Sequence, residues 1–191
     1  MPDRYYVLNC EDPEEGYLAR ISYSSDDLRR SWLLAERFAN PPPEPLSAVI
    51  RGLDEEGTVL ADLWLTPLPV MSRRLHAALI GAGVDNLDTY AVVLRDPAGG
   101  RTFDDYLAFN VIGKIAAADL AASDYDAAQT DRRVAMDIDR LVLASARPRG
   151  ALMFRLAESV NTLLVHGSVR QRIEDAGIAT LTFYAPEDWA T

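Results

Sequence analysis

The sequence predicts an α+β fold, a mostly antiparallel sheet with a few short helices packed mainly on one side. Short apolar segments rich in β-branched and aromatic residues recur along the chain, and turn-forming residues separate them. Thr89–Arg95 and Asp105–Ile112 flank the turn sequence DPAGG, which predicts a hairpin whose loop is longer than two residues. Helical spacing is confined to short stretches, so few helices are expected.

The first third of the chain predicts two strands and a helix. Arg4–Asn9 is aromatic and β-rich, and Tyr17–Tyr23 alternates apolar and polar residues, so both predict strands. A helix is expected to begin near Ser25 and to end before the prolines at 41–43, because proline lacks the amide hydrogen that the helix needs. The residues at helical spacing are Leu28, Trp32, Ala35 and Phe38.

The middle of the chain predicts a strand, a helix and a bent strand around the hairpin. Val59–Leu65 is apolar and is followed by prolines, which predicts a strand. Ser72 begins a helix that ends at Gly81. Arg133–Leu143 alternates with a phase change at Asp139 that a β-bulge would explain. The apolar face of the helix is expected to contain Leu75, Leu79 and Ile80.

The segment Ala151–Thr191 predicts strand, turn, strand, short helix and strand. Ser168 is the expected N-cap of that helix, because its oxygen can accept a hydrogen bond from an unpaired amide. A faint repeat at an offset of 94 residues relates Leu75–Tyr90 to Val169–Tyr184. Two explanations stay open: two related strand-helix-strand halves, or the common appearance of any helix–glycine–strand junction.

The composition and net charge of the chain favour a basic protein over a nucleic acid as its partner. Acidic residues outnumber Lys and Arg by 29 to 19, which gives a formal net charge of −10. This balance opposes nucleic-acid binding, since phosphate recognition needs clustered positive charge, and it favours a basic partner. Cys10 is the single cysteine, which suits a reducing compartment. Without a signal-peptide pattern or a long apolar run, no membrane contact and a cytoplasmic location are expected.

Residues that could carry chemistry form no catalytic or metal-binding pattern, so we expect no enzyme activity, cofactor or metal. His76 lies in a predicted helix, and His166 lies at a strand-to-helix turn beside Ser168. Nucleophilic catalysis needs a base and an orienting group besides the nucleophile, and the sequence suggests no third member. The spacing of the histidines and Cys10 matches no zinc motif, and no glycine-rich phosphate loop occurs.

Phrases between about Val59 and Trp189 follow the order and spacing of one family. They include VMSRRLHAALIGAGVDNLDTYAVVL, YLAFNVIGKIAAADLAASDY, LMFRLAE and LLVHGSVRQRIEDAGIATLTFYAPEDW. The chain resembles the α+β immunity proteins of bacterial polymorphic toxin systems, a family first catalogued as a domain of unknown function. The resemblance implies one domain, 1–191, with a variable part at about 1–57 and a family-like part at about 58–191. Its recurrent polar positions match Asn110, Asp119, Ser123 and Arg155, which we expect to be structural.

The resemblance implies an inhibitor that binds and neutralises one cognate toxin domain by covering its surface, and it supplies no catalytic residues. A nuclease toxin fits the charge, because a nuclease surface is basic where it holds phosphates. Exposed acidic turns and one aromatic residue near the C-terminus are the candidate toxin contacts, although such turns can also serve only solubility. These candidates are Glu11, Asp12, Glu14, Glu15, Asp54, Glu55, Glu56, Asp104, Asp105 and Trp189.

Two alternatives belong to other classes of function. One is a small-molecule or peptide-binding sensory module without catalysis, which would use a groove between the sheet and the helix at Ser72–Gly81. The other is a hydrolase that depends on His166. A ligand that copurifies with the protein would support the first alternative, and an activity lost on replacement of His166 would support the second.

Overall fold

Two α-helices, a short 3-10 helix at Pro186–Asp188 and four sheets make up the regular structure of the described residues. The computed structural model describes residues 4–23, 31–66, 68–125 and 136–190. The helices are α1 (Arg73–Gly81) and α2 (Gly167–Asp175). The strands are β1 (Tyr5–Asn9), β2 (Tyr17–Leu18), β3 (Arg20–Tyr23), β4 (Leu46–Arg51), β5 (Thr58–Val59), β6 (Leu63–Trp64), β7 (Val70–Ser72), β8 (Leu87–Asp96), β9 (Arg101–Val111), β10 (Lys114–Ile115), β11 (Asp124–Tyr125), β12 (Ile138–Arg140), β13 (Met153–Leu156), β14 (Leu163–His166) and β15 (Thr182–Tyr184).

The predicted α+β class is confirmed. Six strands form one sheet in the order β3-β4-β8-β9-β7-β6, and five form another in the order β10-β13-β14-β1-β15. Most neighbouring strands are antiparallel, and the parallel pairs are β4–β8, β10–β13 and β2–β5. The predicted hairpin is β8–β9, whose strands are joined by a four-residue loop at 97–100. The predicted strand at 17–23 is divided into β2 and β3.

Two halves of the molecule share an arrangement of strands and helix that agrees with the faint repeat, although the central strand is reached differently: β9 follows β8 through a hairpin, whereas β1 lies near the start of the chain. Both ends of α2 lie 94 positions after the ends of α1. In the first half, α1 joins β7 to β8, and β9 lies between these strands and is antiparallel to both. In the second half, α2 joins β14 to β15, and β1 lies between them in the same way. β6 and β13 are the equivalent outer strands beside β7 and β14.

One apolar core joins the two halves. Leu75 and Leu79 of α1 and Val169 and Ile173 of α2 are buried in it, together with residues from both large sheets. Burying one such aliphatic side chain stabilises a fold by about 1.5–3 kcal/mol, so the helices bind the sheets to each other. Ile80, which was predicted to share this face, is 49% exposed instead, because it lies on the outer side of the short helix.

The helix predicted around residues 25–38 is wrong over its described part. Residues 31–38 form turns and irregular structure, while 24–30 lie outside the described residues. Ala35 has a φ of 60°, which the right-handed helix does not allow. Trp32 and Phe38 still contact each other and Tyr90, with ring centroids 4.8 to 5.9 Å apart. The apolar spacing of this segment therefore reflects the burial of its aromatic side chains and not a helical conformation.

The single strand predicted at 59–65 is wrong as well. The chain forms two short strands, β5 and β6, and the residues between them belong to no strand. Asp62 lies in this interruption and is buried among hydrogen-bond donors. In the other predicted strand, residues 136–143 contain only β12 and an isolated bridge at Leu143. Ile138 and Leu141 are both buried there, which confirms the predicted phase change, whereas 133–135 are not described.

Candidate protein-binding surface

Two acidic turns that are distant in sequence lie side by side. The turn with Glu11, Asp12, Glu14 and Glu15 precedes β2, and the turn Asp54–Glu56 precedes β5. Because β2 and β5 are parallel, with Tyr17 opposite Thr58, the segments before them meet at the same end of the pair. All seven acidic side chains are exposed. We name these two segments together the acidic surface.

Two glycines allow the close approach of these turns. Gly16 has a φ of 102° and Gly57 a φ of 78°, a region that favours glycine. A Cβ on Gly16 would lie only 2.2 Å from the carbonyl oxygen of Gly57. The Tyr17 amide donates to that oxygen at 3.2 Å, and the Ala19 amide donates to the Val59 carbonyl at 2.9 Å. The backbone therefore fixes the relative position of the two turns.

Within the first turn, hydrogen bonds hold two of the carboxylates in place. Glu11 accepts from the Asn9 side-chain amide at 2.8 Å and from the Tyr184 hydroxyl, and this second bond raises the pKa of Tyr184. Asp12 accepts from the Leu18 amide at 2.7 Å. These bonds position negative charge at the surface without neutralising it, since all the donors are uncharged.

The other candidate contacts lie apart from these turns. Asp104 and Asp105 are exposed on β9. β4 runs parallel to β8 and β9 runs antiparallel to it, so the turn after β4 and the start of β9 lie at the same end of the six-stranded sheet. Trp189 is half-buried; its ring lies 5.4 Å from that of Tyr184 and packs against the core on the outer face of the five-stranded sheet. Its location favours a packing role over that of a free anchor.

Each of the four polar positions predicted to be structural has a local role. The Asn110 amide donates to the Glu36 carbonyl at 2.6 Å, and Asp119 accepts from the Ala121 amide at 3.2 Å. Ser123 both donates to the Val142 carbonyl and accepts from its amide. Arg155 is 1% exposed and donates from Nη1 to the Val160 carbonyl at 2.8 Å, and burial lowers its pKa to about 10.

A buried polar network that the sequence reasoning missed links the halves. Asp62 accepts hydrogen bonds from Ser72 at 2.6 Å, from Arg74 and from Thr180. Burial alone would raise the pKa of Asp62, but these bonds outweigh it and lower the pKa. The aspartate inside the apolar run VLADLWL could have predicted this network, because a charged residue that is buried must be paired with hydrogen-bond donors.

His166 and Ser168 form a helix cap. His166, not the predicted Ser168, is the N-cap of α2: its Nδ1 accepts from the Ser168 amide at 3.2 Å and lies 2.8 Å from Ser168 Oγ. His76 is half-buried, and burial together with Arg73 lowers its pKa. In the described part of the chain, no group of three or more histidine, cysteine or carboxylate side chains could hold a metal ion.

The groove required by the sensory-module alternative is filled. The inner face of α1, with Leu75, Ala78 and Leu79, packs against α2 and the shared core. A ligand would have to displace α2 to reach this face of the helix.

Comparisons with known proteins add no relative. No protein-family model matches the sequence, and the search of curated proteins finds no match. Among the described residues, neither helix has the length and apolar character needed to cross a bilayer.

Proposed function

We propose that this chain is an immunity protein that binds and neutralises a cognate bacterial toxin domain, a nuclease effector, by stoichiometric surface occlusion in the cytoplasm. One observation carries the proposal: β2 and β5 place seven exposed carboxylates together on a chain of net charge −10. A basic surface is the natural complement of such a region, and nucleases have one because they hold phosphates.

The rest of the molecule is consistent with a role that depends on shape and charge. The first acidic turn follows β1 of the five-stranded sheet and the second follows β4 of the six-stranded sheet, so the acidic surface is attached to both large sheets. Preformed charge of one sign raises association rates by about 10- to 1000-fold at low salt, and this advantage suits an inhibitor that must act before its toxin does.

Coexpression with the product of the neighbouring upstream gene tests the proposal. We expect that product to be toxic alone, to copurify with this chain at equal stoichiometry, and to leave cells viable when both are present. Raising the salt concentration should weaken the purified complex, since exposed charges are screened beyond about 8 Å at physiological ionic strength. A toxic neighbour that neither binds this chain nor is neutralised by it would contradict the proposal.

A further inference from the structure

Two arginines face each other beside the acidic surface. β3 and β4 are antiparallel, and their register places Arg20 directly opposite Arg51. Directly opposed residues project from the same face of a sheet, with Cβ atoms about 5 Å apart, and like charges in such a pair repel. Both side chains are exposed. This arrangement favours the binding of an anion between the two guanidinium groups.

The arginine pair makes few contacts of its own. Arg51 Nε donates to Ser22 Oγ at 3.2 Å. Within the described ranges, neither Arg20 nor Arg51 forms an ion pair with a carboxylate. Other arginines do form such pairs, namely Arg37, Arg74, Arg101, Arg140 and Arg170.

The arginine pair lines a cavity with mixed charge. The cavity has a volume of about 460 Å³, and Tyr17, which is 62% exposed, forms part of its wall. Asp12 and Glu55 of the acidic surface also line it. The cavity therefore presents two cations and two anions beside an exposed aromatic ring.

This combination selects a particular ligand chemistry. Guanidinium groups bind carboxylates through two parallel hydrogen bonds, and two of them can hold one carboxylate between them. Asp12 and Glu55 repel a bare anion, and they favour an anion that has a cationic group beside it. A free phosphate lacks such a group, whereas an acidic side chain flanked by lysine or arginine has it.

We propose that Arg20 and Arg51 bind a side-chain carboxylate of a protein partner, within a segment where that acidic residue is flanked by basic ones. Asp12 and Glu55 bind the flanking cations, and Tyr17 covers the aliphatic part of the segment. The inference rests on the proposed function only for the identity of the partner. The cavity and its charged residues belong to this chain and do not require a toxin.

Titration with short peptides tests this site without the toxin. The protein labelled with ¹⁵N is titrated with acetyl-Lys-Glu-Lys-amide, acetyl-Gly-Glu-Gly-amide and inorganic phosphate, and the amide and arginine Nε–H signals are followed by NMR. We expect the Lys-Glu-Lys peptide to bind tightest, with a Kd at or below about 1 mM, and to shift signals near residues 12–20 and 51–58. Arg20→Gln and Arg51→Gln should each weaken it about tenfold, since each removes a charge-assisted bidentate contact.

Arg95→Gln is the matched control, since Arg95 is an exposed arginine on the adjacent strand β8 that faces no second arginine across its ladder. This variant should bind the peptide as the wild type does. Equal loss in all three variants, tighter binding of phosphate, or no saturable binding of any probe would each overturn the proposal. Because no toxin is used, failure here leaves the immunity role standing, and failure of the coexpression test leaves this site standing.

Discussion

The two halves of the molecule have helices of equal length with matching N-cap conformations, but different side chains at that cap. The N-cap residues Ser72 and His166 have nearly the same conformation, with φ and ψ of −67° and 151° against −69° and 152°. Ser72 is buried and donates to Asp62, whereas His166 is half-buried and its ring nitrogen accepts from the Ser168 amide. The same N-cap backbone conformation therefore accommodates either a serine or a histidine, provided that its side chain accepts a hydrogen bond from an amide of the first turn. Burial at each site determines which of the two side chains fits.

The links that follow the two helices extend this comparison. Thr180 follows α2 and bonds with Asp62 of the first half, while Asn86 follows α1 and donates to the Met153 carbonyl of the second half at 2.9 Å. The two link residues are themselves 94 positions apart. Asp62 directly precedes β6 and Met153 begins β13, so each half forms a hydrogen bond near the start of an outer strand of the other.

The halves differ most in what surrounds them. The first sheet continues beyond β8 into β4 and β3, and the acidic surface lies next to this extension, whereas the second sheet ends at β15. The turn Asp54–Glu56 follows β4 and has no equivalent in the second half, whereas the turn with Glu11 follows β1 of the second half. On the proposed function, a partner would contact this junction of the added strands with β1.

The largest expected effect comes from breaking the core that both halves share. Leu79→Ala and Ile173→Ala occupy equivalent positions, and each should lower the free energy of unfolding by about 3 kcal/mol, because each leaves a cavity in the same cluster. Urea unfolding followed by circular dichroism should show one transition in both variants. Ile80→Ala, at an exposed position, should change stability little. Two separate transitions would show that the halves fold independently.

Charge reversal sharpens the contrast between scaffold and surface. The triple variant Asp54→Lys, Glu55→Lys and Glu56→Lys should slow association with the toxin by about 10- to 100-fold at low salt, because it replaces complementary charge with like charge. The control changes the same number of exposed carboxylates in the second half: Asp175→Lys, Glu187→Lys and Asp188→Lys. Stopped-flow association rates compare the two variants, and equal slowing would locate the effect in net charge alone.

Removing the buried carboxylate of Asp62 tests the polar network that links the halves. Asp62→Asn should destabilise the protein by about 2 kcal/mol, since Ser72 and Thr180 lose a charged acceptor while the exposed Arg74 regains water. The folded-state pKa of Asp62 is lowered, so its stabilisation is present above about pH 4 and is lost as the pH falls further. Denaturation measured at pH 7 and pH 3 should therefore show the two proteins converging in acid. Ser168→Ala in the second half should cost less, and a persistent difference at low pH would argue against this account.

A smaller gain is expected where the second half holds a buried arginine. Arg155 corresponds to Leu65, which directly follows β6 in the first half. Among the described residues, the Nε and Nη2 of Arg155 have no hydrogen-bond partner. Arg155→Leu should stabilise the protein by about 1 kcal/mol, because a buried charge with one hydrogen bond is costly. Burial lowers the pKa of Arg155 to about 10, so this cost is full below pH 10 and the advantage of leucine should shrink above it. Thermal or urea unfolding at pH 7 and pH 10.5 measures the stabilisation and its decrease with pH. A destabilised Arg155→Leu variant would refute the argument.

Sequence patterns predicted the elements whose hydrogen bonds are local. The helix from Ser72, the hairpin β8–β9 and the final strand-helix-strand all follow from caps, glycines and apolar spacing within a few residues. The prediction for 31–38 was wrong because Trp32 and Phe38 are buried by contact with the distant Tyr90. Apolar spacing alone does not distinguish such a packed irregular segment from a helix.

The sequence by itself determined the α+β class, the charge of −10, the repeat at an offset of 94 residues and the acidic turns as separate segments. Only the tertiary structure decided that two of those turns meet, that Arg20 faces Arg51 and that Asp62 connects the halves. The physical reason is the range of the interactions. Caps and turns depend on neighbouring residues, whereas strand register and the pairing of buried charges are set by packing between segments far apart in the chain.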